Sequence, residues 1–311
     1  MIYIFTALYP EAKPLIRAFS LKRAVTGLPF DVYENTDSSQ EQDLRLVVTG
    51  VGAAAAACGV AAVLGKYGAD EGDHLINIGT CAQEVSAKGL SEEKREEEKN
   101  KETGEIYLCH KITDRNTGHT YYPDMLYHTS LPEAEVITEP AVWKRAVLKE
   151  EVSEKAAVET LPQSTLLHDM EGAAVYQAGS YWMGPHQMSF LKVVSDHGDG
   201  EKITPQTLEE AVNRNLELIK GYVLNLGQVL RKNREEQEKE QHGRMEAETL
   251  CRELHCSQTM RAAVEQCVRY WTLAKVDYQQ VLDKMRADGE LPCRDRREGK
   301  KRFEELKQRL L

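Results

Sequence analysis

No stretch of this 311-residue chain is apolar over anything near the length of a membrane-spanning helix, so a membrane-embedded protein is not expected. Positive charge is outnumbered, 40 Lys+Arg against 50 Asp+Glu. The formal net charge is −10 at pH 7, which argues against general affinity for nucleic acid or for an anionic membrane. The seven cysteines are odd in number and lack regular spacing, which fits a reducing, cytoplasmic setting better than a disulfide scaffold. The apolar N-terminus, Met1 to Leu8, has neither a basic leader nor a small-residue cleavage site, and it is expected as a first buried strand. There is no internal repeat.

What is present divides unevenly. From Arg244 to Leu311 the chain carries 15 Lys+Arg against 12 Asp+Glu, a net +3, which leaves −13 for the first 243 residues. Within those, strand-like runs recur at Ile2 to Ala7, Leu44 to Thr49, Leu75 to Gly79, Ile106 to Ile112, Glu135 to Thr138 and Phe190 to Ser195. Most are continuously apolar, as strands covered on both faces are. Helical patterns lie between them: alanine-rich Gly52 to Lys66, Asp169 to Ser180, and a segment with Thr204 as N-cap and Pro205 at its first position. In the last, Leu208, Ala211, Val212, Ile219, Tyr222, Val223, Leu226 and Leu230 share one face. Alternating strand and helix predicts an α/β body with a largely parallel sheet.

Charged segments interrupt this order. Ser91 to Glu102 reads as a solvated excursion, and Arg231 to Gln241 as a linker or exposed helical extension. The remainder is helical in pattern. Met260, Ala263, Val264, Cys267, Tyr270, Trp271 and Ala274 form one stripe, and Tyr278, Val281, Leu282 and Met285, capped by Asp277, form a second. A basic helix with Phe303, Leu306 and Leu310 follows Gly289 and Pro292. The expected division is residues 1–231, a charged linker 232–244, and a small helical domain 245–311. A core that small is marginal alone, so docking on the body or on a protein partner is expected.

Two acidic stretches carry the chemistry: Asp169-Met170-Glu171 before an apolar helix, and Ser195-Asp196 closing the run Phe190 to Val194. A carboxylate at a helix start and another at a strand end fall where α/β enzymes place their sites, outside the carboxyl edge of the sheet. Thr49-Gly50-Val51-Gly52 offers close backbone approach, but it lacks the third glycine and distal acid of a dinucleotide fingerprint.

Together these segments resemble the nucleoside phosphorylase and nucleosidase family, in particular its 5'-methylthioadenosine/S-adenosylhomocysteine nucleosidases. The resemblance spans most of residues 1–230. It rests on Ala7-Leu8-Tyr9-Pro10-Glu11 after the first strand, the Thr49–Gly52 turn, Ile76-Asn77-Ile78-Gly79-Thr80-Cys81-Ala82, Asp169-Met170-Glu171-Gly172-Ala173-Ala174, and Val193-Val194-Ser195-Asp196, in that order. It implies a three-layer α/β/α sandwich with a largely parallel or mixed central sheet, followed here by the small C-terminal all-α segment. It also implies hydrolysis of a purine nucleoside, without cofactor or metal, by a homodimer or higher oligomer.

Cleaving an N-glycosidic bond leaves positive charge on the ribose and negative charge on the departing base. The resemblance assigns the acid that protonates the base to Asp196, with Ser195 beside it. An ordinary aspartate is ionised at neutral pH, so this role needs apolar surroundings, which Phe190 to Val194 supply. Glu171 would accept both ribose hydroxyls, Met170 would wall the sugar, and Glu11 would orient or deprotonate the attacking water. Thr80, Gly79 and Val51 complete the expected substrate contacts, and Trp143, in Thr138-Glu139-Pro140-Ala141-Val142-Trp143, is the candidate for stacking on the base.

Phosphorolysis would need cations around the phosphate, usually arginine. Asn77 stands where phosphorylases of this family carry an arginine, and none follows strand one before Arg17, so hydrolysis is the expectation. Ser195-Asp196-His197 is closer to the phosphorylase form, which keeps phosphorolysis as the alternative, and Cys81-Ala82-Gln83-Glu84 lacks the family's glycine pair and would narrow the pocket. A third reading is a catalytically inactive nucleoside- or partner-binding module. Plainer roles stand beside the sharp ones: Asp196 as a turn cap, Glu171 as a residue favoured by the helix dipole, Glu11 as a surface glutamate. Cys251, Cys256, Cys267 and Cys293 with His242 and His255 lack the paired hairpins of a zinc site. Arg294, Arg296, Arg297, Lys300, Lys301 and Arg302, interleaved with acids, read as a solvated helix rather than a nucleic-acid surface.

Overall fold

The apolar runs expected as strands all enter one sheet. The computed structural model describes residues 1–35, 43–84, 103–144, 165–198 and 203–310. The strands are β1 Ile2–Thr6, β2 Lys22–Arg23, β3 Asp31–Glu34, β4 Leu44–Val48, β5 His74–Gln83, β6 Ile106–Asp114, β7 Thr120–Tyr121, β8 Glu133–Thr138, β9 Thr165–Asp169 and β10 Met188–Asp196. Their order is β10-β6-β8-β9-β5-β1-β4-β3-β2, with β7 on β6, and β10 also pairs β5. The sheet is therefore mixed. β1 is parallel to β4 and β5, whereas β9 runs antiparallel to β5 and β10 antiparallel to β6. Long β5 pairs β1 through its first half and β9 through its last two residues, so β5, β10, β6, β8 and β9 close a ring of pairings.

Helices α1 Tyr9–Ala18, α2 Ala53–Tyr67, α3 Gly172–Gly179, α4 Pro205–Arg214 and the first part of α5 Leu216–Glu253 cover the two faces. α2 and α3 bury Val60, Val63, Leu64 and Val175 against Phe5, Leu75, Phe190 and Val194. On the other face α1, α4 and α5 bury Ala12, Leu15, Val212, Ile219 and Val223 against Ile2, Ile4, Ile76, Leu191 and Val193. This is the three-layer arrangement that alternating strands and helices require. α2 approaches the sheet through Gly59, where a Cβ would stand 2.6 Å from Thr49 Cγ2.

Two local expectations change, and one alternative is decided. Asp169 ends β9 rather than opening a helix, because its carboxylate accepts from Gly172 N and so starts α3 three residues later. The segment after Thr204 is two helices, not one. Thr204 Oγ1 caps α4 as expected, but Asn215 leaves helical geometry (ψ 6) and its amide donates to Gly104 and Ala211 carbonyls. Arg231 to Gln241 is helical within α5. The charged segment Ser91 to Glu102 lies outside the described residues.

The chain forms two compact units, Met1–Leu230 and Arg231–Leu311. In the second, the end of α5 packs with α6 Gln258–Leu273, α7 Tyr278–Ala287 and α8 Arg296–Leu310 around Leu250, Leu254, Val264, Val268, Trp271, Leu282, Met285, Phe303 and Leu306. The buried row on α6 is Val264, Val268 and Trp271. Tyr270, expected on that row, is 63% exposed because it falls on the adjoining face. Gly299 permits the closest approach in this unit: a Cβ there would stand 1.8 Å from the Leu254 carbonyl oxygen. Among the described residues no helix is long and apolar enough to cross a membrane.

Candidate active site at the carboxyl edge of the sheet

Glu11 lies in the first turn of α1, yet it is almost fully buried. Its Oε2 accepts from Leu8 N at 2.9 Å, closing the helix start on itself. Its Oε1 accepts from Thr80 N at 2.8 Å and Thr80 Oγ1 at 2.7 Å, so α1 is fastened to β5 through this carboxylate. A surface glutamate at this helix position could accept from Leu8 N, but not make the two bonds with Thr80.

Glu171 precedes α3 at its N-cap position but does not cap it. It reaches across to the turn before α2 instead, where Oε1 accepts from Gly52 N at 2.7 Å. Gly52 has φ +95, a conformation glycine adopts at little cost, and that conformation aims the N–H. Burial pushes the Glu171 carboxyl up to about 7, helped by the negative charges of Asp169 and Glu11 and opposed by Lys192 and the Gly52 N–H. A carboxyl held near neutrality can accept or donate a proton with little driving force either way.

Lys192, hidden in the apolar run of β10, supplies the positive charge. Its side chain is 1% exposed; Nζ lies 2.7 Å from Asp169 Oδ2 and donates to Asn77 Oδ1 at 2.7 Å. Burial opposes its charge, but Asp169 and Glu171 outweigh that and hold its pKa above the usual lysine range. Asp169 also accepts from Thr138 Oγ1 and Gly172 N, both at 2.7 Å. Gly79 sits between the two halves of the cluster: a Cβ there would lie 3.6 Å from both Glu11 Oε1 and Lys192 Nζ.

Asp196 ends β10 one strand away and is buried. The pairing of β10 with β5 slips between Val194, opposite Cys81, and Asp196, opposite Ala82, so Ser195 is the extra residue of a bulge. Ser195 Oγ donates to Cys81 O at 3.1 Å and to Asp196 Oδ2 at 2.9 Å, while Asp196 Oδ1 accepts from Gly198 N at 2.9 Å. Cys81 lies between the two groups. Burial and Cys109 push its thiol well up, and Lys192, Asp169 and Asp196 all act on it.

The structure thus brings Glu11, Gly79, Thr80 and Glu171 together, and sets Ser195 and Asp196 beside them across β5. Met170, partly exposed, stands between Asp169 and Glu171, and Val51 is 49% exposed in the turn that carries Gly52. Trp143 is not directed by its own segment alone: its indole stacks on the His168 imidazole, ring centroids 4.0 Å apart and planes 5° off parallel. Sequence reasoning gave no role to Lys192 or His168, and did not foresee Asp169 and Asn77 as partners of a buried cation. A lysine inside a continuously apolar strand was the available signal. Among the described residues no cluster of His, Cys, Asp or Glu could hold a metal ion.

No family model and no curated protein matches the chain. Solved structures do. A 5'-methylthioadenosine/S-adenosylhomocysteine nucleosidase from Colwellia psychrerythraea 34H, in complex with adenine, is 16% identical with a TM-score of 0.51, covering 74% of this chain and 95% of that one. The S. pneumoniae nucleosidase with the transition-state inhibitor MT-ImmA matches at 16% identity and TM-score 0.51, over 73% and 97%. The Arabidopsis thaliana 5'-methylthioadenosine nucleosidase in apo form matches at 18% and 0.51, over 74% and 95%. The chain has the fold of the 5'-methylthioadenosine/S-adenosylhomocysteine nucleosidases.

Proposed function

We propose that the first unit hydrolyses the N-glycosidic bond of a purine nucleoside, with a 5'-substituted adenosine such as methylthioadenosine or S-adenosylhomocysteine as the substrate class. The observation that carries this reading is the cluster in which Glu11 and Lys192 meet at Gly79 and act through their charge on Glu171, held by Gly52 N, with Asp196 one strand away on the same edge. Bond cleavage needs an acid at the base, a carboxylate on the ribose and a group that orients water. Asp196 serves as the acid, its position at the sheet edge set by the bulge at Ser195. Glu171 takes the ribose hydroxyls, and its raised pKa lets the same group release or hold a proton as charge develops on the sugar. Glu11, fixed by three hydrogen bonds, keeps a lone-pair direction for water, and Lys192 balances the negative charge of the cluster. Met170 and Val51 supply apolar walls and Trp143 the stacking surface for the base.

Hydrolysis is favoured over phosphorolysis because the one buried cation of the cluster is already engaged by Asp169 and Asn77. The test is release of free base from a panel of purine nucleosides with and without inorganic phosphate. Release at the same rate in both conditions is expected. Release that requires phosphate overturns the hydrolytic reading, and ligand binding without release from any nucleoside points to the inactive module.

A further inference from the structure

Three residues stand abreast at the carboxyl edge of the sheet. Asp196 of β10 pairs with Ala82 of β5, and Ala82 pairs with His168 of β9. Paired residues carry their side chains on the same face of a sheet. With neighbouring strands about 4.8 Å apart, the His168 backbone lies roughly 10 Å from that of Asp196. Ala82 lies between them, on the face where Thr80 holds Glu11. All three residues are at most 8% exposed, and the row is bounded on one side by the candidate acid.

The other side is bounded by a ring held unusually firmly. His168 is 3% exposed. Its Nδ1 is 3.0 Å from Glu139 Oε1 and its Nε2 lies 3.5 Å from Glu84 Oε2. Glu139 is itself clamped by Arg115, whose Nη2 donates at 2.9 Å and whose Nε donates at 3.2 Å to Oε1. The hydrogen bond at Nδ1 to a carboxylate that is itself clamped sets the plane of the imidazole, while Nε2 makes no hydrogen bond among the described residues. The indole of Trp143, stacked nearly parallel on it, takes its orientation from His168.

We infer that His168 is a positioning residue for base recognition: it fixes the Trp143 indole as the wall of the base subsite facing Asp196. This rests on the nucleosidase reading. One face of the indole is taken by the imidazole, and the other, on a side chain that is only partly buried, receives the flat base. The His168–Glu139–Arg115 chain acts on the substrate only through Trp143.

The test uses the full chain with Trp182→Phe and Trp271→Phe, which leaves Trp143 as the sole indole, and reads its fluorescence on titration with adenine alongside steady-state base release. Aromatic stacking of about 0.5–1.5 kcal/mol corresponds to a roughly 2- to 12-fold change in affinity. His168→Ala is expected to raise KM by about that factor with kcat little changed, and to weaken quenching by adenine equally. His168→Phe, which keeps a flat ring but not the ion pairs, is expected to restore both. Trp143→Ala should match His168→Ala, and the double variant should be no worse than either. His168→Gln, which keeps an amide toward Glu139 but no ring, substitutes if the alanine variant does not fold. Unchanged KM and quenching in the ringless variants overturn the inference, as does additive loss in the double variant. The two readings fail separately. Adenine quenching in a chain that cleaves no nucleoside removes the hydrolase and leaves the wall. Turnover without quenching removes the wall and leaves the hydrolase.

Discussion

Lys192 and Asp169 face each other at 2.7 Å with both side chains at most 1% exposed. Taking both charges out of water is costly, and the pair survives there because Asn77, Thr138 and Gly172 N satisfy its remaining hydrogen-bonding capacity. Removing one partner strands the other. Lys192→Met is expected to destabilise the first unit by about 3–5 kcal/mol, and Lys192→Met with Asp169→Asn to recover part of that loss. Urea unfolding of the single and double variants measures both, and equal stability of the two variants would contradict the pairing.

Asp196→Asn keeps the shape of the side chain and removes the carboxyl group. If Asp196 is the acid at the base, base release falls by roughly 10²–10⁴ while substrate binding changes little. A rate within a factor of a few of the parent chain would return Asp196 to the role of a turn cap.

Glu171 links the site to stability through pH. Its folded pKa, raised to about 7 from the ordinary 4.5, means that folding opposes its ionisation. The penalty is absent below the unfolded value, grows between the two and is complete above the folded value. Glu171→Gln should therefore gain on the order of 2–3 kcal/mol of stability at pH 8 and nothing at pH 4, while losing activity. Denaturant midpoints at the two pH values check the sign.

His74 works in the opposite sense. Buried at the start of β5, it accepts or donates only through Nε2, 2.8 Å from Ser189 Oγ, which continues to Tyr222 at 2.7 Å. Burial, with a smaller contribution from His186, lowers its pKa to about 3. Stability from this group is whole above the unfolded value near 6.5 and drains as pH falls toward the folded one. By pH 5 the loss is about 2 kcal/mol. His74→Gln should flatten the stability profile between pH 6.5 and 4 by one proton. An unaltered slope would sink the assignment.

In the second unit, Gly299→Ala places a methyl against the Leu254 carbonyl, where no side chain can yield. A loss of about 3 kcal/mol, at the upper end of overpacking costs, is expected from thermal unfolding of the full chain.

How much of this was legible depends on how local each signal is. Glu11, Glu171 and Asp196 sit in short segments whose order along the chain is itself informative, and the six runs mark their strands because apolar residues dominate them even where Arg45, Asn77 or Lys192 interrupts. β9 escaped because Asp169 imitates a helix N-cap and because little of Thr165–Asp169 is apolar. Lys192 escaped for a different reason. Its stem extends the apolar run, and only the distant Asp169 and Asn77 reveal what the ammonium does there. The split at Asn215 depends on carbonyls supplied by Gly104, more than a hundred positions away. No windowed pattern contains such information.

The bulge at Ser195 makes the position of the acid a matter of counting. Val194 and Asp196 are two apart, and in an unbroken ladder they would point the same way, into the hydrophobic layer beneath α2 and α3. One surplus residue turns the carboxylate to the opposite side. Were Ser195 to pair in register with Ala82, the composition would be untouched and Asp196 would point its acid into oil.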